Sequence, residues 1–220
     1  FRANIWGMKS LGVTHLISVS AVGSLKKEIE PGHLVIPDQF IDRTKDRPST
    51  FFGQGVVAHV QFGDPVCSHL SQALADSANK LKITCHKGGT YICMEGPIFS
   101  TRAESNMYRS FGASIIGMTN LQEAKLAREA ELCFSTIALS TDYDCWHESE
   151  EEVSVEAVLK VMSKNVSNSK MILKDIFENY QEDATPCSDQ SALQFAIMTD
   201  KSLIPDKTKE KLKIIIGKYL

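Results

Sequence analysis

The sequence predicts an α/β fold, a single domain over residues 1–220 with a central sheet flanked by helices. Three features of the chain point there. Strand-like apolar runs alternate with helix-like segments bounded by capping residues. The run Cys133–Leu139 is continuously apolar, as a strand buried on both faces is. Several of these runs lead into turns rich in Gly, Ser and Thr, the punctuation expected between strand and helix. At 220 residues with 43% hydrophobic content, the chain is long and apolar enough for a substantial core.

The elements follow in order. Ala3–Ser10 reads as the end of a helix closed by Gly12. His15–Ser20 is an apolar strand running into Ala21–Ser24, and Leu34–Ile36 is a short strand. Arg43–Gly55 is polar and rich in Gly, Pro and Thr, hence a surface loop. Asp64-Pro65 opens a helix through about Lys80, with Asp as N-cap and Pro in the first turn. Thr90–Met94 is a strand. Thr101-Arg102-Ala103-Glu104 is a capping box for a helix that Gly112 ends. Ile115–Met118 is a strand and Glu123–Ala130 a helix. Ser154 caps a long helix to about Tyr180, its buried stripe formed by Val155, Val158, Leu159, Met162 and Val166. Residues 181–190 form a polar connector, and a final helix from Pro205 turns Leu212, Ile215 and Ile216 inward.

Composition excludes several functions. A net charge of -3 gives no basic surface for nucleic acid. The Lys-rich stretch Lys207–Lys218 also holds Asp206 and Glu210 at its margins and reads as the solvated face of a terminal helix. No apolar run reaches membrane-spanning length, and the N-terminus is not a signal peptide. Six cysteines, at 67, 85, 93, 133, 145 and 187, show no CxxC pair and no His/Cys ligand spacing, so neither a metal site nor a disulfide framework is indicated. A reducing cytoplasm is the expected location.

Chemistry concentrates where strands should end. After the Cys133–Leu139 strand come Ser140-Thr141-Asp142-Tyr143-Asp144-Cys145-Trp146. In extended chain, residues two apart project to one side, so Asp142 and Asp144 could meet one ligand, and each acid discourages ionisation of the other. An exposed strand-to-loop turn is the plainer reading of the same pair. Three further loops join strands to small or hydroxyl residues: Ser18–Leu25, Met94–Glu104 and Gly117–Asn120. Their hydroxyls and backbone N–H groups can cradle an oxyanion, or simply cap turns. No GxGxxG or GxxxxGK[ST] pattern supports a nucleotide cofactor.

These loops, with Arg2–Trp6, Pro37–Thr44 and Glu95-Gly96-Pro97, closely resemble the methylthioadenosine phosphorylases, within the trimeric branch of the purine nucleoside phosphorylases, as far as about residue 180. The resemblance implies a mixed, partly parallel sheet and phosphorolysis of methylthioadenosine to adenine and 5-methylthioribose 1-phosphate. Inorganic phosphate is then a co-substrate, with no cofactor and no metal. It implies Asp142 as the acid at N7 of the leaving purine and Asp144 as acceptor from the 6-amino group. Asp142 and Ser100 stand where 6-oxopurine relatives carry Asn and Glu, which points to adenine.

The resemblance further places Phe99 against the base, Met118 under the ribose, and Ser20, the Ala21 N–H and Thr119 on phosphate. From sequence alone Phe99 reads equally as a core aromatic, and Met118 reads more simply as strand-end core filler. His59 would reach a neighbouring subunit's substrate in a homotrimer, although a lone His among apolar residues is an ordinary core residue. Val155, Val158 and Leu159 would line the methylthio pocket.

The family's pattern also includes a segment ahead of the position matching Phe1, with a first strand, a Gly-Gly-Thr-Gly phosphate loop and an Arg-His pair. Relative to it the chain is expected to be N-terminally incomplete, short of strands and of the cationic part of the phosphate site. Two alternatives follow: a 6-oxopurine nucleoside phosphorylase, or a non-catalytic nucleoside-binding fragment. Gln122, where relatives often carry Pro, is expected to be tolerated at a helix start.

Overall fold

The computed structural model describes residues 1–147, 155–181 and 187–220, with residues 155–158 described by backbone alone. Seven strands form one mixed sheet: β1 (His15–Ser24), β2 (Leu34–Ile36), β3 (Gln39–Arg43), β4 (Cys85–Lys87), β5 (Thr90–Met94), β6 (Ala113–Gly117) and β7 (Cys133–Asp142). Their order is β3-β5-β6-β1-β7-β2-β4. Helices flank the sheet: α1 (Arg2–Ser10), α2 (Ser68–Lys80), α3 (Arg102–Ser110), α4 (Asn120–Glu129), α5 (Val155–Asn179), α6 (Asp206–Lys211) and α7 (Lys213–Ile216). The expected α/β class and partly parallel sheet are both present.

The sheet is built of parallel pairs set against one another. Strands β3, β5 and β6 run parallel, as do β1 and β7. The two sets meet where β1 pairs antiparallel with β6, at only Gly23↔Ile116 and Ser24↔Ile115. Below those two pairs the strands separate, and the carboxyl ends of both sets converge on the gap. Open α/β sheets bind ligands where strand direction or order changes in this way.

Burial explains the elements. Strand β7 is buried from Cys133 to Thr141, consistent with its unbroken apolar run, and packs on Ile172 and Ile176 of α5. The Thr101–Glu104 capping box is present, each side chain bonding the other's backbone N–H. Along α5, Met162 and Val166 pack inward as expected, while Leu159 is 63% exposed. The side chains of Val155 and Val158, and the cap Ser154, lie outside the described residues.

Several boundaries differ from expectation for identifiable reasons. Helix α2 begins at Ser68, three residues late, because the Cys67 sulfur rather than Asp64 accepts the first-turn N–H. Strands β3 and β4 are sheet edges, half exposed and polar in part, so they carry no apolar signature. The final helix is two short ones, broken at Leu212 (φ -102°). Lys218 is more than a solvated cation: its Nζ lies 2.7 Å from the buried Glu131 carboxylate.

Candidate active site

The gap between β1 and β6 opens into a cleft of about 440 Å³. Its wall comes from Val19–Gly23 of β1, Met94 at the end of β5, Ile116–Thr119 at the end of β6, Thr141 and Asp142 of β7, and then Asp144 and Phe99. Seven sequence-predicted residues therefore meet in one place: Ser20, Ala21, Phe99, Met118, Thr119, Asp142 and Asp144.

The two acids are arranged unequally. Asp142 is the last residue of β7, and both its carboxylate oxygens are engaged: Oδ1 accepts the Asp144 backbone N–H at 2.8 Å, and Oδ2 the Thr141 hydroxyl at 2.7 Å. The first of these is an Asx turn. It reverses the chain, so Asp144 sits in a left-handed conformation (φ 51°) at the head of a 3₁₀ turn, Asp144–Trp146. The pair therefore converges through a turn, not through the alternation of extended chain expected from sequence. Among the described residues, Asp144 Oδ2 is buried without a hydrogen-bond partner. Burial pushes the Asp144 carboxyl above the ordinary aspartate range, and the nearby Asp142 charge adds to that rise. The Ser105 hydroxyl and the Cys145 N–H oppose it.

Small residues let these groups approach. A Cβ on Gly23 would lie 3.0 Å from Asp142 Oδ1 and 3.2 Å from Ile116 Cγ2. Gly96 (φ 69°) faces Met118, where a Cβ would come within 2.5 Å of the thioether sulfur. The turn after Asp144 is anchored from outside: Trp146 Nε1 donates to Ser24 O at 2.7 Å, and the Arg109 guanidinium lies 3.7 Å over the indole.

Phe99 is 78% exposed at the cleft's rim, free to lie against a ligand; the core-aromatic reading is excluded. Thr119 stands at the N-cap of α4 but makes no side-chain cap bond, so its hydroxyl is not consumed by the helix. Ser20 is buried, its hydroxyl 3.2 Å from the Tyr91 hydroxyl. Ser100 is buried beside the cleft and does not line it; its hydroxyl donates to Met94 Sδ at 3.5 Å. His59 is exposed and away from the cleft, where its backbone N–H donates to Ala196 O at 2.8 Å; it is no core histidine. Leu159 likewise does not line the cleft.

Sequence reasoning missed two supports. Tyr91, buried in β5, packs its ring against Gly117 and holds Ser20; burial raises its phenol far above the ordinary range. Arg47, assigned to a surface loop, is tucked under the cleft with its side chain 14% exposed. Its guanidinium donates to the carbonyls of Met94, Glu95 and Met118, to Gln122 Oε1 at 3.1 Å and to Glu95 Oε2 at 3.1 Å. Gln122 is fully buried and uses its amide to bond Thr44 Oγ1 at 2.8 Å, so it completes this network.

Residues 1–178 match the family model of the phosphorylase superfamily. The S-methyl-5'-thioadenosine phosphorylase of Geobacter sulfurreducens is 61% identical over 222 residues, covering all of this chain and 77% of the relative. That of Koribacter versatilis is 57% identical, covering all of this chain and 75% of its own length. A methylthioadenosine phosphorylase structure from an antarctic soil metagenomic library superposes with a TM-score of 0.93 at 45% identity, over 97% of this chain and 76% of that one. The Schistosoma mansoni enzyme in complex with adenine superposes with a TM-score of 0.83 at 33% identity, over 90% of this chain and 77% of its own. With that sequence identity extending over the whole described fold, the chain belongs to the phosphorylase superfamily, in the family of the methylthioadenosine phosphorylases.

Proposed function

We propose that this chain carries the phosphorolysis of methylthioadenosine to adenine and 5-methylthioribose 1-phosphate. A phosphate oxygen attacks the anomeric carbon while the bond from that carbon to purine N9 breaks, and its electron pair leaves with the base. The sugar gains oxocarbenium character and the purine gains negative charge, so a group that protonates or bonds the purine lowers the barrier. Asp142, held on both oxygens, is placed to act at N7. Asp144 takes the 6-amino group.

The observation that carries this reading is Asp144, which lines the cleft and whose buried Oδ2 has no hydrogen-bond partner among the described residues. A carboxylate oxygen without a donor is costly, and an exocyclic amine supplies the missing one. A 6-oxo group would face it with a second acceptor, which explains adenine selectivity and disfavours the 6-oxopurine alternative. The Schistosoma mansoni relative, in complex with adenine, supports adenine as the base. Phe99 then stacks on the base, Met118 packs under the ribose, and Ser20, Ala21 and Thr119 bind phosphate. We assign His59, and the α5 residues Val155, Val158 and Leu159, to the 5' end of the substrate, His59 acting across a homotrimer interface. Phosphate is the co-substrate and no further cofactor takes part. All six cysteines are free thiols, which suits a cytoplasmic location. Among the described residues no helix is long and apolar enough to cross a membrane.

A second reading, nucleoside binding without turnover, draws on one feature. Among the described residues, the cleft lining contains no cationic side chain to hold phosphate. Adenine release from methylthioadenosine, with and without phosphate, separates the two. Phosphate-dependent release supports phosphorolysis; saturable nucleoside binding without release supports the second reading.

A further inference from the structure

Three cysteines that the sequence leaves far apart meet near the carboxyl end of α4, where Arg128 reaches Asp189. Cys67 caps α2, Cys133 begins β7, and Cys187 introduces a 3₁₀ turn, Ser188–Ser191. With the Asp189 carboxylate, their ligand atoms all lie within 4.8 Å of one another. The Cys67 and Cys187 sulfurs are 3.4 Å apart. Cys67, Cys133 and Asp189 are buried, and Cys187 is half-buried. Cys67, Cys187 and Asp189 also line a cavity of about 970 Å³, separate from the candidate active site, which gives solvent a route to the sulfurs.

We propose that Cys67, Cys133, Cys187 and Asp189 form a binding site for one thiophilic divalent cation, with Zn²⁺ the natural occupant. Three sulfurs and one carboxylate make a four-ligand set of the kind that closes around zinc. A tetrahedron with metal–sulfur bonds of about 2.3 Å has edges of roughly 3.8 Å, so the groups need only small side-chain adjustments. A second support is the partly buried Arg128, whose Nη2 lies 3.0 Å from Asp189 Oδ1. It orients the carboxylate and offsets part of the negative charge that thiolates bring together. His69 lies on the same cavity and adds to the field at Asp189.

The local electrostatics suit a thiolate. The Leu70 N–H at the head of α2 donates to the Cys67 sulfur at 3.5 Å, a contact that favours the charged form of a sulfur ligand. Binding is an exchange without redox change: the cation gains thiolate and carboxylate bonds, and the remaining thiol protons go to solvent. The consequence for the fold is a clamp. One ion would tie the C-terminal segment, through Cys187 and Asp189, to the start of β7 and the head of α2.

The test is a Co²⁺ titration of the reduced full chain in the absence of air, because cobalt–thiolate bonds absorb in the near ultraviolet. The expected result is a one-to-one end point with that absorption, which Zn²⁺ then displaces. Cys67→Ser and Cys187→Ser should each weaken Co²⁺ binding by at least about tenfold, and Cys85→Ser should leave it unchanged. Cys67→Ser retains a good N-cap for α2, and Cys187 lies on a half-buried connector, so both variants keep the fold; circular dichroism verifies this. Absence of thiolate absorption at stoichiometric Co²⁺ overturns the site. So does unchanged affinity in the Cys67→Ser/Cys187→Ser double variant.

Discussion

The backbone N–H of Asp144 donates to Oδ1 of Asp142 at 2.8 Å, so one acid of the pair fixes the other. The turn that makes this bond leaves Asp142 fully occupied and Asp144 with a bare buried oxygen. Two chemically identical side chains thereby stand in different environments, and the proposed reaction gives them different tasks, Asp142 polarising the base and Asp144 accepting from it.

Asp142→Asn tests the first task. The amide can still accept one of the two hydrogen bonds, so the turn survives, but its negative charge and its capacity to share a proton with N7 are gone. Loss of a positioned acid typically costs about 10²–10⁴-fold in rate. We expect kcat/KM for methylthioadenosine to fall within that range while the melting temperature stays near that of the native chain. Activity on inosine should rise relative to activity on adenosine. Steady-state kinetics on the three nucleosides decides it; an unchanged rate removes Asp142 from the reaction.

Asp144 makes the site pH-dependent, with a definite sign. Its carboxyl ionises above the ordinary value, mainly because it is buried. Folding therefore disfavours the charged form relative to the unfolded chain. The Asp144 share of stability is complete below the ordinary aspartate value and is lost as pH rises through the elevated folded value. Asp144→Asn abolishes that loss. The variant's melting temperature should gain on the native chain's as pH is raised from acid to neutral, and a constant difference would exclude the effect. Adenine should reverse the rise by donating to Oδ2, so its binding at mildly acidic pH should release protons, measurable by calorimetry in buffers of different ionisation enthalpy.

Much of this arrangement is legible in the sequence, and what is not has physical reasons. Strand β5 coincides with the predicted Thr90–Met94, and the α3 capping box is where Thr101 and Glu104 put it, because both rest on local patterns. The strand ends bearing Ser20, Met118, Thr119 and Asp142 were identifiable as apolar runs meeting hydroxyls and acids. The geometry between the acids was not, since an Asx turn depends on one backbone conformation that no spacing rule encodes. Arg47 was hidden by its neighbours: its loop is polar and Pro-containing, and only tertiary structure turns that guanidinium inward. The cysteines at 67, 133 and 187 have no ligand spacing because three separate elements bring them together.

Arg47→Ala should damage both fold and site. It removes the donors of three backbone carbonyls and of Gln122 at the ends of β5 and β6. Buried acceptors left without partners cost about 1–3 kcal/mol each, less where water can enter. We expect a loss of about 2 kcal/mol in unfolding free energy by urea titration, together with a raised KM because the cleft residues Met94 and Met118 lose their shared anchor. Arg47→Lys should recover only part of either, since an ammonium cannot span the same fork. Full recovery by Lys would show that charge alone matters.

Gly23→Ala asks whether the position of Asp142, rather than its mere presence, matters. The added methyl would stand 3.0 Å from Asp142 Oδ1, 3.2 Å from Ile116 Cγ2 and 3.4 Å from Asp144 Cβ, so it presses on both acids and on the opposite wall at once. Ile116 is held by the β1–β6 pairing at this very position, Gly23↔Ile116, and cannot retreat far. The carboxylate is the neighbour able to move, by breaking its bond to the Asp144 N–H. Overpacking of this kind costs about 1–3 kcal/mol, which the fold can absorb. A displacement of about 1 Å at a reacting group can cost on the order of 10² in rate. The variant should therefore stay folded, with kcat reduced by about that factor and a smaller change in KM. If kcat is retained while stability drops, Gly23 serves packing alone, and the closeness of β1 to Asp142 has no part in the chemistry.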